Sequence, residues 1–150
     1  MLKKYLKQIS MKSIRVQYLN PIYFVVIMLV FAKCAGDNKT IKVVNPAEAA
    51  KLIFENSNNP QFVILDVRTP EEFVSGHLAG AINIDYKADE FEANINKLDK
   101  KKTYLVYCRT GHRSAGAADI MKDNGFKSIK NLEGGIVKWI NENNPVINEN

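Results

Sequence analysis

Tyr104-Leu105-Val106-Tyr107-Cys108-Arg109-Thr110-Gly111-His112-Arg113-Ser114 is the stretch from which the fold is read. Tyr104 to Tyr107 is a short run of aromatic and branched apolar side chains, the signature of a buried strand. The run ends in Cys108. Thr110 and Gly111 do not continue a strand, and a pattern of small residues, Ala115, Gly116, Ala117 and Ala118, starts a helix at Ser114. A thiol therefore stands at the carboxyl end of a strand, across a tight loop from a helix start. Unpaired N–H groups at a helix N-terminus favour negative charge, and Arg109 and Arg113 flank the same loop. The combination suits a thiolate or an anionic substrate. The simpler alternative is a buried structural cysteine beside a solvated basic loop; two arginines, a loop glycine and a helix start in so short a span favour the functional reading.

The same alternation extends outward in both directions. Ile41 to Val44 reads as the first strand. Asn45-Pro46-Ala47-Glu48 is a helix start, with Asn as cap, Pro at the first helical position and Glu three residues after the cap. Ala49, Leu52 and Ile53 then share one face. Asn56 to Pro60 is a turn cluster. Phe62 to Leu65 is a continuous apolar run, suited to a strand covered on both faces, and it leads into Asp66-Val67-Arg68. Thr69-Pro70-Glu71-Glu72 repeats the cap logic for a short helix ended by Gly76. His77 to Gly80 reads as a turn, Ala81 to Ile84 as a strand, residues 85–88 as linker, and Asp89 to Leu98 as a helix with Phe91, Ile95 and Leu98 on one face. After the helix from Ser114, stopped by Asn124-Gly125, come a strand at Ile129 to Leu132, a turn at Glu133-Gly134-Gly135, and a last helix from Ile136 to Asn143. Strands alternating with helices imply an α/β domain, a mainly parallel sheet with helices on both faces. In such sheets ligands bind beyond the carboxyl ends of the strands. Cys108 and Asp66-Val67-Arg68 both lie at such ends.

The formal charge of +5 is unevenly placed. Of 21 basic residues, Lys3, Lys4, Lys7, Lys12, Arg15 and Lys33 fall in residues 1–34, which hold no Asp or Glu; the remaining 15 stand against all 16 acidic residues, a net −1. That balance argues against nucleic acid as a partner of the folded part. Residues 1–34 read as a targeting segment. A basic region, in which Met11 competes with Met1 as the start, precedes the uncharged apolar stretch Ile22 to Ala32. At about 1.5 Å per residue that stretch covers only about half of a ~30 Å hydrocarbon core, so a secretory signal fits better than a spanning helix. Cys34 follows, before the polar Gly36-Asp37-Asn38-Lys39. This resembles a bacterial lipoprotein signal, although Lys33 and Phe31 depart from its pattern, and the resemblance implies lipidation of Cys34 and membrane anchoring. Cleavage by a general signal peptidase and an uncleaved anchor are the alternatives. The expected layout is a targeting segment at 1–34, a tether at 35–40 and one domain at 41–147. The expected location is the periplasm or envelope, a cytoplasmic protein with an uncleaved N-terminus being less favoured. With Cys34 lipidated or removed, Cys108 stands alone, with no disulfide partner and no Cys-x-x-Cys pair. An unpaired thiol in an oxidising compartment points to chemistry.

Three segments together resemble a single-domain rhodanese, a sulfurtransferase. They are Asp66-Val67-Arg68-Thr69-Pro70-Glu71-Glu72-Phe73 continuing through Gly76-His77-Leu78-Ala79-Gly80-Ala81-Ile82-Asn83-Ile84, the loop from Cys108 to Ser114, and Leu132-Glu133-Gly134-Gly135 followed by Trp139. The resemblance covers about residues 40–145 and implies a five-stranded parallel sheet flanked by helices. It also implies a persulfide mechanism without a cofactor. The Cys108 thiolate would attack the outer sulfur of a donor such as thiosulfate, sulfite would leave, and cyanide or a thiol would take the outer sulfur, in two half-reactions. Thiosulfate, thiols and persulfides are the implied partners. A helix start and nearby cations would lower the thiol pKa. Backbone N–H groups from Arg109 through Thr110, Gly111, His112, Arg113 and Ser114 would cradle the persulfide anion, and a sulfonate would suit Arg109 or Arg113.

Loop length separates this chemistry from its relatives. Cysteine phosphatases, including those built on this fold, place five residues between cysteine and arginine. Here Arg113 comes one position earlier and Ser114 takes that place, a loop sized for sulfur rather than phosphate. Asp66 and Arg68 read as a supporting charge pair, His77 as structural, Trp139 as core and Gly134-Gly135 as a backbone turn; His112 is left open between solvated and pocket-tuning. No metal is expected, since two histidines and one available cysteine do not form a ligand set. The alternative function is a rhodanese-like carrier or regulatory module that holds sulfur without turnover. Nothing in the sequence fixes the oligomeric state.

Overall fold

Five strands, β1 (Ile41–Val44), β2 (Phe62–Asp66), β3 (Ala81–Asn83), β4 (Thr103–Tyr107) and β5 (Ser128–Leu132), form one sheet in the order β1-β5-β4-β2-β3. All four pairings are parallel. The helices are α1 (Pro46–Glu55), α2 (Pro70–Val74), α3 (Phe91–Ile95), α4 (His112–Asp123) and α5 (Gly135–Asn141). The computed structural model describes residues 40–148; the expected targeting segment, nearly all of the tether and the lipidation candidate Cys34 lie outside them. Among the described residues no helix is long and apolar enough to cross a membrane.

β4 is the middle strand, and its continuous apolar run follows from burial on both faces. Tyr104, Val106 and the adjoining Cys108 join Leu65, Val67 and Ile129 on one face, under Phe91, Ile95, Ala117, Ala118 and Met121. Leu105 and Tyr107 join Val44, Ile64 and Leu132 on the other, under Ala49, Ile136 and Trp139. The helices therefore divide between the faces, α3 and α4 on one, α1 and α5 on the other.

Both expected capping boxes form. Asn45 Oδ1 accepts from Glu48 N–H at 2.9 Å while Glu48 Oε2 accepts from Asn45 N–H at 3.1 Å. Thr69 and Glu72 exchange the same pair of bonds at the start of α2, at 3.4 and 3.2 Å. Some expectations shift, among them the last helix, which ends at Asn141 rather than Asn143. α4 begins at His112, two residues before Ser114, because Gly111 takes a left-handed φ of 97° and serves as its N-cap. The helix expected over Asp89–Leu98 shortens to α3: Glu90 makes no capping bond, and Lys97 and Leu98 N–H turn back onto the carbonyls of Asn94 and Ile95, three residues away. His77, expected within a simple turn, exchanges two 2.9 Å backbone bonds with Ile147, tying down the end of the domain.

Candidate active site

The cysteine is placed by β4, which delivers it beyond the last paired residue, Tyr107. Cys108 is 1% exposed. The left-handed turn at Gly111 folds the chain back so that its N–H donates to Cys108 Sγ at 3.1 Å. Burial pushes the Cys108 thiol up, but the Ser114 hydroxyl and the N–H groups of Ser114, Thr110 and Gly111 outweigh it and hold the thiol below its ordinary value. The sulfur thus sits in a cradle of backbone donors at the start of α4, which favours the thiolate.

The floor of the loop is held by α5. Cys108 and Arg109 carbonyls accept from Ile136 and Val137 N–H at 2.9 and 3.1 Å. This close approach requires Gly135, whose φ is 59° and where a Cβ would run into both carbonyls. Gly134-Gly135, read from the sequence as a turn, is also one wall of the loop.

The remaining candidates separate into three environments. Arg109, Thr110 and His112 are exposed; of the three, Thr110 contributes to the cradle, through its N–H. Ser114 is wholly buried, its Oγ 3.1 Å from Gly111 O and 2.7 Å from Asn131 Oδ1. One hydroxyl proton cannot serve these two oxygens and the thiolate together. Turning the Asn131 amide end for end makes its Nδ2 the donor and frees the hydroxyl proton for sulfur. Arg113 is half-buried and paired end-on with Glu72: Nη1 donates to Oε2 at 2.7 Å and Nη2 to Oε1 at 2.8 Å. These bonds, reinforced by Thr69 N–H against an opposing effect of burial, hold the Glu72 carboxyl at about 2.

Asp66 and Arg68 form the expected charge pair, buried, with Arg68 Nε 2.9 Å and Nη2 2.6 Å from Asp66 Oδ2. Arg68 Nη2 also donates to Gly76 O at 2.7 Å, and the guanidinium lies 5.7 Å from the Tyr107 ring centre. The pair knits the end of β2 to the end of α2. His77 is structural too: its Nδ1 lies 3.0 Å from Phe73 O and so carries the ring proton, and its ring stacks on Phe73 at 3.8 Å. Sequence reading missed Glu72 and Asn131 as site residues. In sequence Glu72 reads in full as a cap; a loop arginine without a local acidic neighbour is the available signal. Asn131, a polar residue inside a buried strand, is the other.

The family described as Rhodanese-like domain matches residues 45–142. YqhL of Bacillus subtilis is 38% identical over 76 residues, which span 51% of this chain but only 59% of that protein. A protein of Allochromatium vinosum named sulfurtransferase is 25% identical over 105 residues, 70% of this chain and 96% of that one. The solution structure of the polysulfide-sulfur transferase homodimer of Wolinella succinogenes superposes with a TM-score of 0.60 at 30% identity, covering 84% of this chain and 90% of that one.

Proposed function

The chain belongs to the rhodanese-like domain family, and from that membership we propose a sulfurtransferase that works through a persulfide on Cys108. The observation that carries the proposal is the hydrogen-bonded sulfur: Gly111 N–H at 3.1 Å, with the Ser114 hydroxyl and neighbouring amides holding the thiol acidic. The thiolate attacks the outer sulfur of a donor such as thiosulfate. A sulfur–sulfur bond forms to Cys108, the bond to the sulfonate breaks, and its electron pair leaves with sulfite. The same donors then receive the persulfide anion, which a thiol or cyanide discharges. Arg113, five residues after Cys108 in the same loop, would steer a sulfonate, and Asp66–Arg68 would keep the neighbouring strand end in place. Steady-state transfer from thiosulfate to cyanide, compared between the wild type and Cys108→Ser, tests this; activity that survives the substitution overturns it.

The carrier reading has one supporting observation, the near-complete burial of Cys108, which suits holding sulfur. A Cys108 persulfide that neither cyanide nor small thiols discharge would favour it. Export and lipidation at Cys34 are proposed from the sequence of residues 1–34 alone. Intact-mass analysis of the natively expressed protein, with fractionation of the cells, tests them: a diacylglycerol-bearing chain beginning at Cys34 in the envelope is expected, an unmodified chain that retains residues 1–33 contradicts lipidation, and its recovery in the cytoplasm contradicts export.

A further inference from the structure

Arg113 is the one loop arginine drawn into an ion pair, and its partner comes from a distant segment, 41 residues earlier in the chain. Arg113 and Glu72 side chains are 17% and 30% exposed, so the pair is largely shielded from solvent. Glu72 is not free to swing away. Its Oε2 also accepts from Thr69 N–H at 3.2 Å, and leaving would undo the cap of α2. Among the described residues the two oxygens of Glu72 are the only acceptors for the Arg113 guanidinium. The pair uses one N–H on each terminal nitrogen, so Nε–H and the second N–H of each terminal nitrogen remain as donors, while the carboxylate offsets the guanidinium charge. Other charges bear on this pair: the Cys108 thiolate and Asp85 act on Arg113, Glu71 adjoins Glu72, Asp66 and Arg68 offset each other, and Arg109 lies exposed in the loop.

We infer that Glu72 sets the charge selectivity of the site: by pairing its carboxylate end-on with Arg113 and offsetting the guanidinium charge, it biases sulfur donation toward singly charged donors and away from the dianion thiosulfate. The inference rests on the sulfurtransferase reading and adds a residue that decides the donor class. Thiosulfate and an alkane thiosulfonate offer the same outer sulfur to Cys108. In one the electron pair leaves with sulfite, in the other with a sulfinate, and the donors differ by one unit of charge. That difference isolates the effect of Glu72.

Glu72→Gln keeps the cap, because Gln serves at the third helical position as Glu does, and removes the carboxylate charge. With cyanide as acceptor, kcat/KM for thiosulfate relative to methanethiosulfonate should rise roughly tenfold in Glu72→Gln, the scale of one charge beside a half-buried site. It should fall in Arg113→Gln, and the rise should shrink with added salt. An unchanged ratio, or an equal fall for both donors, overturns the inference and leaves Glu72 a purely structural cap. A second readout needs no sulfur transfer. Reduced Cys108 is alkylated with anionic iodoacetate and with neutral iodoacetamide, and the rates are followed on the Cys108 peptide. The iodoacetate-to-iodoacetamide ratio should rise in Glu72→Gln; an unchanged ratio contradicts the inference. A protein that transfers sulfur from neither donor but shows the altered alkylation ratio would overturn the sulfurtransferase reading and retain the charge effect.

Discussion

At the scale of single residues, the chemistry depends on how many donors reach one sulfur. Cys108 is buried, which alone would make it inert; the Ser114 hydroxyl and three amides reverse that. The pH dependence of Cys108 alkylation by iodoacetamide should therefore show a midpoint below the ordinary thiol value of 9.0. Ser114→Ala should move it upward, and reactivity at neutral pH should fall. An unmoved midpoint would remove Ser114 from the cradle. Asp66→Asn tests the other polar pair. It leaves the Arg68 charge buried and without its carboxylate, a change expected to cost about 3–5 kcal/mol in urea denaturation, while a loss below about 1 kcal/mol would contradict the pairing. Much of this was legible in sequence where it is local: Cys108, Gly111 and Ser114 lie in one loop. Glu72 and Asn131 were not, because their partners stand 41 and 17 residues away and each residue already had a sufficient local reading.

At the scale of elements, helix ends do the positioning. The start of α5 presses against the loop, and only glycine fits at 135. Gly135→Ala adds a Cβ against two carbonyls at a left-handed φ of 59°, and a destabilisation of about 2 kcal/mol or more is expected, with loss of sulfur transfer beyond the loss of fold. A fully active, stable variant would show that α5 does not hold the loop. On the opposite face, a Cβ at Gly116 would stand 2.5 Å from Tyr86 Oη, the far end of a side chain. Gly116→Ala should therefore cost less, and Tyr86→Phe should recover part of that cost in a double-mutant cycle; strict additivity would contradict the contact. The caps of α1 and α2 were readable because each is written within four residues. The length of α3 was not. Its apolar face is real, with Phe91 and Ile95 buried, but periodicity reports the face and says nothing about whether the first turn is capped.

At the scale of the whole molecule, the alternation of strands and helices gave the parallel sheet and the working edge. It could not give the strand order. β1 lies at the sheet margin because Ile41 pairs with Ile129 across the length of the domain, and no local signal records that. The same long-range ties govern acid stability. Glu72 is ionised in the fold down to about 2, against an ordinary carboxyl value of 4.5. A depressed folded-state pKa contributes stability that is complete above the unfolded value and is lost as pH falls through the folded one. The thermal midpoint should therefore drop between about pH 4.5 and pH 2, and this drop should be shallower in Glu72→Gln. All of these features converge on one sulfur, and the most direct test reads it: mass spectrometry of the Cys108 peptide after incubation with thiosulfate, then after addition of cyanide. One added sulfur on Cys108, removed by cyanide with formation of thiocyanate, is the expected result. No added sulfur with any sulfane donor, or thiocyanate formed equally well by Cys108→Ser, would contradict it.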